Sequence, residues 1–264
     1  MVFRQCSIAG KAYTGEPDDQ PEEQPKVRDL KPIDHRDDEF TRSPSNGSYA
    51  AAGSTSTPEN RSAAVQPLAT DPIQLSSQVL HHFSDPVLKA DIEASVHADP
   101  NSQDATLARS LNGFFSVLAL CHTVLTGTNS ETGALEYKAQ SPDEAALVQA
   151  AADMGFVFRG LEAGVLSLQT PFSDGVERYE LLNILEFTSE RKRMSVVVRK
   201  LDKQDGRIFL LTKGADNVIF ERLRPGVDEL KAATERHLSE FASHGLRTLT
   251  LAYKVIPGEV SSFV

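Results

Sequence analysis

The hydrophobic pattern divides the chain into a short strand, a long aperiodic segment and a larger region of regular elements. Residues 1–13, MVFRQCSIAGKAY, alternate apolar and polar positions, which predicts a strand that ends at Gly10. Residues 14–70 have no periodicity and are rich first in Pro, Asp and Glu and then in Ser, Ala, Gly and Pro. Such a segment cannot bury enough apolar surface to offset its ordering entropy, so it is predicted to be a disordered insert.

Regular structure is expected to resume near Asp71. The segment DPIQLSSQVLHHF has apolar residues at Ile73, Val79, Leu80 and Phe83, and its Asp-Pro start suits a helix N-terminus, which predicts a helix. A second short helix is expected from Asp85. A strongly apolar helix is predicted over 104–126, and a short strand over 136–139.

The stretch SPDEAALVQAAADMGF carries a complete helix-start signature. Ser141 is a capping residue, Pro142 occupies the first turn, and Glu144 lies three residues after the cap. Gly155 marks the expected end of this helix.

Strand patterns dominate the next part of the chain, in the runs FVFRG, VLSLQT, VERYELLNILEF, RMSVVVRK and RIFLLTK. Asp-Gly pairs at 174–175 and 205–206 separate successive runs as turn signals. Helices over 215–223 and 228–244 and a last strand, LRTLTLAYKV, complete the pattern. Hairpins packed with helices, without regular βαβ alternation, predict an α+β fold with a mainly antiparallel sheet flanked by helices.

Composition narrows the functions that this chain can have. The formal net charge is −10 and the pI is near 5.2, which argues against general nucleic-acid binding. Residues 16–42 hold ten acidic and five basic residues and so account for −5 of that charge. The N-terminus does not resemble a signal peptide, and the longest apolar run, about 113–125, is too short for a membrane span, so the chain by itself is expected to be soluble and cytoplasmic.

The two cysteines, Cys6 and Cys121, lie in very different surroundings. Cys121 falls within the apolar run FFSVLALCHTVL and is expected to be a small buried thiol, and no disulfide between the two is expected. The sequence has no GxxxxGK[ST], GxGxxG or GxSxG motif and no Cys/His cluster with zinc spacing. These observations argue against a self-contained enzyme.

Four short stretches, SPDEAAL, EFTSERKRMS, TKGADNVI and HGLRTLTLAY, each place one conspicuous side chain at the boundary of a predicted element. These side chains are Glu144, Phe187, Lys213 and Arg247. Together they can form a pocket for a flat anionic ligand, because an aromatic face stacks on a base, a carboxylate accepts from an amine, and Lys and Arg offset phosphate charge.

Each of these residues also has a purely structural interpretation. The spacing of Glu144 favours a capping box, and Phe187 fits a core position. Lys213 fits a solvated strand end, and Arg247 could pair with a carboxylate on the preceding helix. The basic triplet Arg191–Arg193 fits either a solvated turn or an anion site, while RNA binding has little support without a basic face or repeated aromatics.

The stretches SPDEAALVQAA, LEFTSERKRMSVVVR, LLTKGADNVIFERL and GLRTLTLAY, in this order, resemble the nucleotide-binding domain of phospholipid-translocating P-type ATPases, the lipid flippases. LALCHTV resembles a further stretch of that family. The resemblance covers residues 1–13 and about 75–255. The long insert and the HHFSDP region look most like fungal members.

The resemblance implies that ATP is the ligand and assigns roles around it. It places the adenine beside Phe187, Lys213 in the same pocket, Glu144 at the adenine end and Arg247 near the phosphates. Neighbouring positions are expected to contribute as well: Ser189, Met194 and Gly214. Ser189 stands where ion pumps of this superfamily carry an Arg, so the phosphate contact of that Arg cannot be transferred.

The family's DKTGT motif, with the aspartate that accepts the phosphoryl group, does not occur here, nor do GDGxND, DGET or membrane helices. The resemblance therefore implies a domain that binds ATP but does not cleave it, with Mg²⁺ held mainly by the phosphorylation domain of an intact pump. It also implies that Met1 corresponds to an internal methionine, that the first strand belongs to the phosphorylation domain and lacks its partner, and that the sequence of residues 258–264 is atypical.

The domain map expected from these arguments is a strand remnant over 1–13, a linker over 14–70, a nucleotide-binding domain over 71–256 and a truncated tail over 257–264. The intact pump would move phospholipid at the cytosolic face of a plasma, Golgi or endosomal membrane, with its phosphorylation and membrane domains as partners. The alternative is a non-catalytic cytosolic regulatory fragment whose disordered segment is phosphorylated, for example at Ser43 or Ser45.

Overall fold

The structure, a computed structural model, describes residues 1–15, 74–99, 102, 104–202 and 206–256. In chain order the elements of these residues are β1 (Cys6–Ile8), β2 (Lys11–Tyr13), α1 (Pro86–Val96), α2 (Asp104–Leu120), β3 (Leu125–Thr128), β4 (Leu135–Lys138), α3 (Pro142–Asp153), β5 (Val157–Glu162), β6 (Val165–Gln169), β7 (Val176–Leu185), β8 (Arg193–Lys200), β9 (Ile208–Gly214), α4 (Asp216–Phe220), α5 (Asp228–Ser243) and β10 (Thr250–Ile256).

A six-stranded sheet with the order β10-β9-β8-β7-β6-β5 lies at the centre of the fold, and all neighbouring strands are antiparallel. The register places Met194, Lys213 and Leu251 side by side across β8, β9 and β10. Two further hairpins, β1-β2 and β3-β4, lie outside this sheet. The predicted α+β fold with a mainly antiparallel sheet flanked by helices is confirmed.

Helices α2 and α3 pack against each other and α2 also packs against the sheet, so the apolar face of α2 lies at the centre of the core. Leu111 and Phe115 of α2 are fully buried, as is Val148 of α3. Cys121 is buried as predicted, and both cysteines are free thiols. Burial raises the pKa of the Cys121 thiol to about 11, which makes it unreactive at neutral pH.

Helix α3 ends where the sequence predicts. Gly155 has a φ of +86°, and the Phe156 N–H donates to the carbonyl of Ala151 at 2.8 Å. The Gly155 N–H also donates to the carbonyl of Ala152, at 2.9 Å. These two bonds form a Schellman motif, for which a glycine in the left-handed region is the usual residue.

The predicted helix in DPIQLSSQVLHHF is wrong for the residues that the structure describes. Leu75 forms an isolated bridge with Leu135, and turns follow it. The carboxylate of Asp153 accepts hydrogen bonds from the backbone N–H groups of His81, His82 and Phe83 at 2.6–2.9 Å. Because these contacts satisfy the backbone from outside the segment, a helix is not needed there.

The prediction of a helix through residue 126 was too long. Helix α2 ends at Leu120, and the next residues turn into β3. The imidazole of His122 holds this turn: Nε2 is 2.8 Å from the carbonyl oxygen of Ala119, and Nδ1 accepts from the Val124 N–H at 3.1 Å. The apolar pattern continues across the end of α2 because the turn is also buried, so the hydrophobic pattern does not indicate where the helix ends.

The N-terminal residues form a paired hairpin, which corrects the expectation of a strand without a partner. β1 pairs with β2 around a turn at Ala9 and Gly10, both with positive φ. Cys6, Ile8 and Tyr13 are buried in the same core as the rest of the domain. The alternation in the sequence predicted one strand because the turn is only two residues long.

Several predictions fall outside the described residues: the insert from residue 16 onwards with Ser43 and Ser45, the start of the predicted helix at Asp71, and the tail over 257–264. Within the described part of the chain, no helix combines the length and apolar character that crossing a membrane requires.

Candidate functional site

An ion pair between α3 and β9 forms the centre of the candidate site. Lys213 Nζ lies 2.8 Å from Glu144 Oε1, and the two side chains are 9% and 16% exposed. The structure therefore brings together two of the residues that the sequence singled out, 69 positions apart in the chain. The interpretation of Lys213 as a solvated strand-end charge is wrong, because this residue is buried.

The capping-box interpretation of Glu144 is also wrong. Ser141 occupies the N-cap position of α3, but its side chain makes no capping hydrogen bond. Instead, Glu144 Oε2 accepts from the Thr123 N–H at 3.1 Å and from the Thr123 hydroxyl at 2.7 Å. The helix start thus directs Glu144 away from the cap and towards β9.

The pKa of Glu144 lies below its usual value. Burial acts to raise this pKa, but the hydrogen bonds from Lys213 and Thr123 and the charge of Lys213 outweigh it. Glu144 is therefore a carboxylate at neutral pH.

Thr123 lines the cleft and its neighbour His122 lies in the buried turn behind it, although the sequence did not identify either residue as a candidate. His122 is buried, and burial lowers its pKa to about 4, so its ring is neutral and does not repel Lys213. The edge of this ring packs on Phe158, with centroids 4.7 Å apart. The LALCHTV stretch could have drawn attention to both residues, but no spacing rule connects a turn residue with a helix 21 positions later.

Phe187 lies in the loop between β7 and β8 and is 62% exposed, so its interpretation as a core residue is wrong. Contacts within the loop define its shape: Arg191 donates to the carbonyl of Glu186 at 2.6 Å, and the Lys192 N–H donates to the carbonyl of Thr188 at 2.8 Å. Lys192 has a φ of +50° and lines the cleft beside Phe187. At least one member of the basic triplet therefore shapes the loop.

Met194 and Gly214 lie beside the central pair. Met194 is buried next to Lys213 in the sheet register. Gly214 permits a close approach of two strands, since a Cβ there would lie 2.5 Å from the Cβ of Arg193 and 2.6 Å from the carbonyl oxygen of Lys192. Ser189 is exposed in the loop and is not among the residues that line the cleft.

Arg247 lies after α5 and forms an ion pair with Asp143, the neighbour of Glu144. The arginine side chain is 72% exposed and lines the cleft. The sequence allowed a carboxylate partner on the preceding helix, α5; the structure instead supplies the carboxylate from the first turn of α3.

With the exceptions of Ser189 and His122, the candidate residues line one open cleft of about 1530 Å³. It presents an exposed aromatic side chain, a carboxylate beside an ammonium group, and further cations from the loops, through Phe187, Glu144, Lys213, Lys192 and Arg247. A flat base with a phosphate chain matches this combination. Among the described residues, no group of three or more His, Cys, Asp or Glu could hold a metal ion.

Comparison with known proteins identifies the class to which this fold and cleft belong. Residues 110–263 match the family described as "P-type ATPase, cytoplasmic domain N". Because the match covers more than half of the chain, the chain belongs to this family.

The more specific resemblance to lipid flippases is confirmed by individual relatives. The chain is 48% identical over 153 residues to "Probable phospholipid-transporting ATPase 11" of Arabidopsis thaliana, which is 56% of this chain and 12% of that protein. It is 44% identical over 168 residues to "Phospholipid-transporting ATPase ID" of Mus musculus, which is 64% of this chain and 13% of that protein. The chain thus matches about an eighth of the length of these relatives, which give no support to the expectation of a fungal source.

Proposed function

We propose that this chain binds ATP in the cleft around Glu144 and Lys213, as the nucleotide-binding domain of a phospholipid-translocating P-type ATPase. The observation that carries the proposal is the part-buried Glu144–Lys213 ion pair at a cleft that also exposes the ring of Phe187. An ion pair removed from most of the solvent contributes little to stability compared with apolar residues of the same size, so its presence at a cleft favours a binding role.

Each cleft residue has a role that its surroundings support. Phe187 stacks on the adenine, since its ring is exposed and lines the cleft. Glu144 accepts from the base and Lys213 donates to the ligand; Arg247 and Lys192 offset phosphate charge. Met194 and Gly214 contribute shape close to Lys213. Ser189 lies outside the cleft lining, and its proposed contribution comes from the loop that also carries Phe187.

The proposal extends from the domain to a parent pump. Bound ATP would be delivered to an aspartate on a phosphorylation domain, with Mg²⁺ bound mainly by that domain, and the acyl-phosphate would drive phospholipid movement. The domain would then work on the cytosolic face of a plasma, Golgi or endosomal membrane, with the phosphorylation and membrane domains as partners. ATP affinity of the domain alone should be weak, with a Kd on the order of 1 mM.

Titration of the isotope-labelled chain with ATP, followed by amide chemical shifts, tests the binding proposal. Shifts should move for residues around Phe187 and Lys213 at millimolar ATP. If no amide near these residues responds at several millimolar ATP, the pocket assignment is wrong.

The variant Phe187→Ala isolates the stacking contribution. Loss of a stacked ring should raise the Kd for ATP at least about fivefold, because base stacking on an aromatic side chain contributes roughly 1–3 kcal/mol. Leu185→Ala is a matched control: Leu185 is also exposed and apolar, lies two residues away, and does not line the cleft. Equal affinities of the two variants would contradict the role of Phe187.

A further inference from the structure

Thr123 contacts Glu144 through two donors. Its backbone N–H and its hydroxyl lie 3.1 Å and 2.7 Å from the same carboxylate oxygen, Oε2. The residue lines the cleft, yet nothing in its position in the chain connects it with α3. These two donors fix Oε2, and together with Lys213 on Oε1 they define the rotation of the carboxylate.

Most acceptor positions of the Glu144 carboxylate are already occupied within the protein. A carboxylate oxygen accepts about two hydrogen bonds. Thr123 occupies both positions on Oε2, and Lys213 Nζ occupies one on Oε1 at 2.8 Å. One acceptor position therefore remains, on Oε1, directly beside an ammonium group that has further N–H donors.

The turn that carries Thr123 is held by hydrogen bonds from a buried side chain. His122, the preceding residue, is buried, and its two ring nitrogens contact the backbone on both sides of the turn, at Ala119 and Val124. The hydroxyl of Thr123 is therefore held in place by the fold and does not depend on the ligand.

We infer that Thr123 is a positioning residue for base recognition: by saturating Oε2 of Glu144 it leaves a single acceptor, on Oε1, for an exocyclic amine of the bound base. This inference rests on the proposed ATP-binding function and adds a determinant of base selectivity to it. Without the hydroxyl, only the Thr123 N–H remains on Oε2, the carboxylate is held less firmly, and its preference for a base with an amine at that position falls.

The experiment compares ATP with purine riboside 5′-triphosphate, which lacks only the exocyclic amine. Amide-shift titrations give the Kd of each ligand for the wild-type chain and for Thr123→Val and Thr123→Ser. The wild type should bind ATP roughly tenfold more tightly than the purine riboside compound, as expected for a hydrogen bond to a charged acceptor. This ratio should fall below about threefold in T123V and return to the wild-type value in T123S, which keeps the hydroxyl.

The ratio separates positioning from a general structural effect, because a loss of fold or of phosphate contacts weakens both ligands equally. An unchanged ratio in T123V, or an equal loss in T123V and T123S, overturns the inference for Thr123 while leaving ATP binding intact. A wild type that binds both ligands equally also overturns it. A wild type that binds neither ligand overturns the proposed function and this inference together.

Discussion

At the scale of single residues, Arg247 illustrates how a cleft of this kind holds its charges before a ligand arrives. Its guanidinium pairs with Asp143, next to Glu144 in the first turn of α3. Both side chains are substantially exposed, at 72% and 38%, and exposed ion pairs contribute only about 0–1 kcal/mol. A phosphate group can therefore compete successfully with Asp143 for this arginine.

Asp143→Asn should consequently tighten ATP binding about two- to threefold at low salt, because it removes the competing carboxylate. The affinity for adenosine, which has no phosphate, should stay the same. Calorimetric or amide-shift titrations with both ligands measure the effect.

The background Arg247→Gln supplies the control for this prediction. In that background, Asp143→Asn should increase the affinity for ATP only slightly, because it still removes one negative charge near the phosphates. An equal gain with and without Arg247, or a gain for adenosine, would show that Asp143 does not act through the arginine.

The same scale shows the limit of spacing rules. Ser141 and Glu144 have the spacing of a capping box, yet Glu144 contacts a strand residue and a turn residue instead. Local spacing describes what a side chain could reach within its own helix. It contains no information on Lys213, which approaches from a strand 69 residues later, so the candidates could be named from sequence but the ion pair could not.

At the scale of elements, the turn between α2 and β3 is held by a neutral, buried histidine. Burial lowers the pKa of His122 from an ordinary value of 6.5 to about 4. Between these pH values the unfolded chain binds a proton that the folded chain does not, so stability from this group is complete above about pH 6.5 and is lost as the pH falls towards 4.

The free energy of unfolding should therefore fall by about 2 kcal/mol between pH 7.5 and pH 5 through His122 alone, given 1.36 kcal/mol per pKa unit. Urea unfolding at both pH values measures this change. His122→Gln, which keeps a polar side chain but does not titrate, is less stable at pH 7.5 and should show a pH dependence about 2 kcal/mol smaller than that of the wild type. Equal pH dependence in the two chains would mean that His122 is not buried in its neutral form.

Helices and strands that have a local sequence signal could be predicted well. Segments whose conformation depends on hydrogen bonds to residues far away in the chain could not. The strands β5–β9 and the end of α3 at Gly155 follow from alternation, turn residues and a C-terminal glycine. The segment before α1 has helical spacing, but its backbone donors are satisfied by Asp153 from another part of the chain. Tertiary hydrogen bonds overrode a local pattern there.

At the scale of the whole molecule, the β1-β2 hairpin could belong either to a neighbouring domain or to the domain described here, and the two assignments predict different unfolding behaviour. The resemblance assigns residues 1–13 to a neighbouring domain, whereas the structure packs them into the core of this one. Tyr13 is 2% exposed, and its hydroxyl donates to Asp91 of α1 at 2.6 Å, beside Lys11 at 2.5 Å from the same carboxylate. Ser7 also lies 2.8 Å from a ring nitrogen of His237 in α5.

If these contacts make the hairpin part of one cooperative unit, Tyr13→Ala should destabilise the entire domain. Truncation of a large buried aromatic side chain costs about 3–5 kcal/mol, partly because a cavity remains. The urea midpoint followed by far-UV circular dichroism should therefore shift as a single transition, with the strands of the central sheet unfolding together with the hairpin.

Tyr13→Phe keeps the ring and removes only the hydrogen bond to Asp91, which retains Lys11 as a partner, so it should cost only about 1 kcal/mol. The difference between the two variants then measures the packing of the ring. A hairpin that does not contribute to the stability of the domain would give the opposite result. Tyr13→Ala would then leave the urea midpoint of the central sheet unchanged and remove only the small circular dichroism signal of the two three-residue strands. Only the first result makes residues 1–13 an integral part of the nucleotide-binding domain rather than a segment of its neighbour.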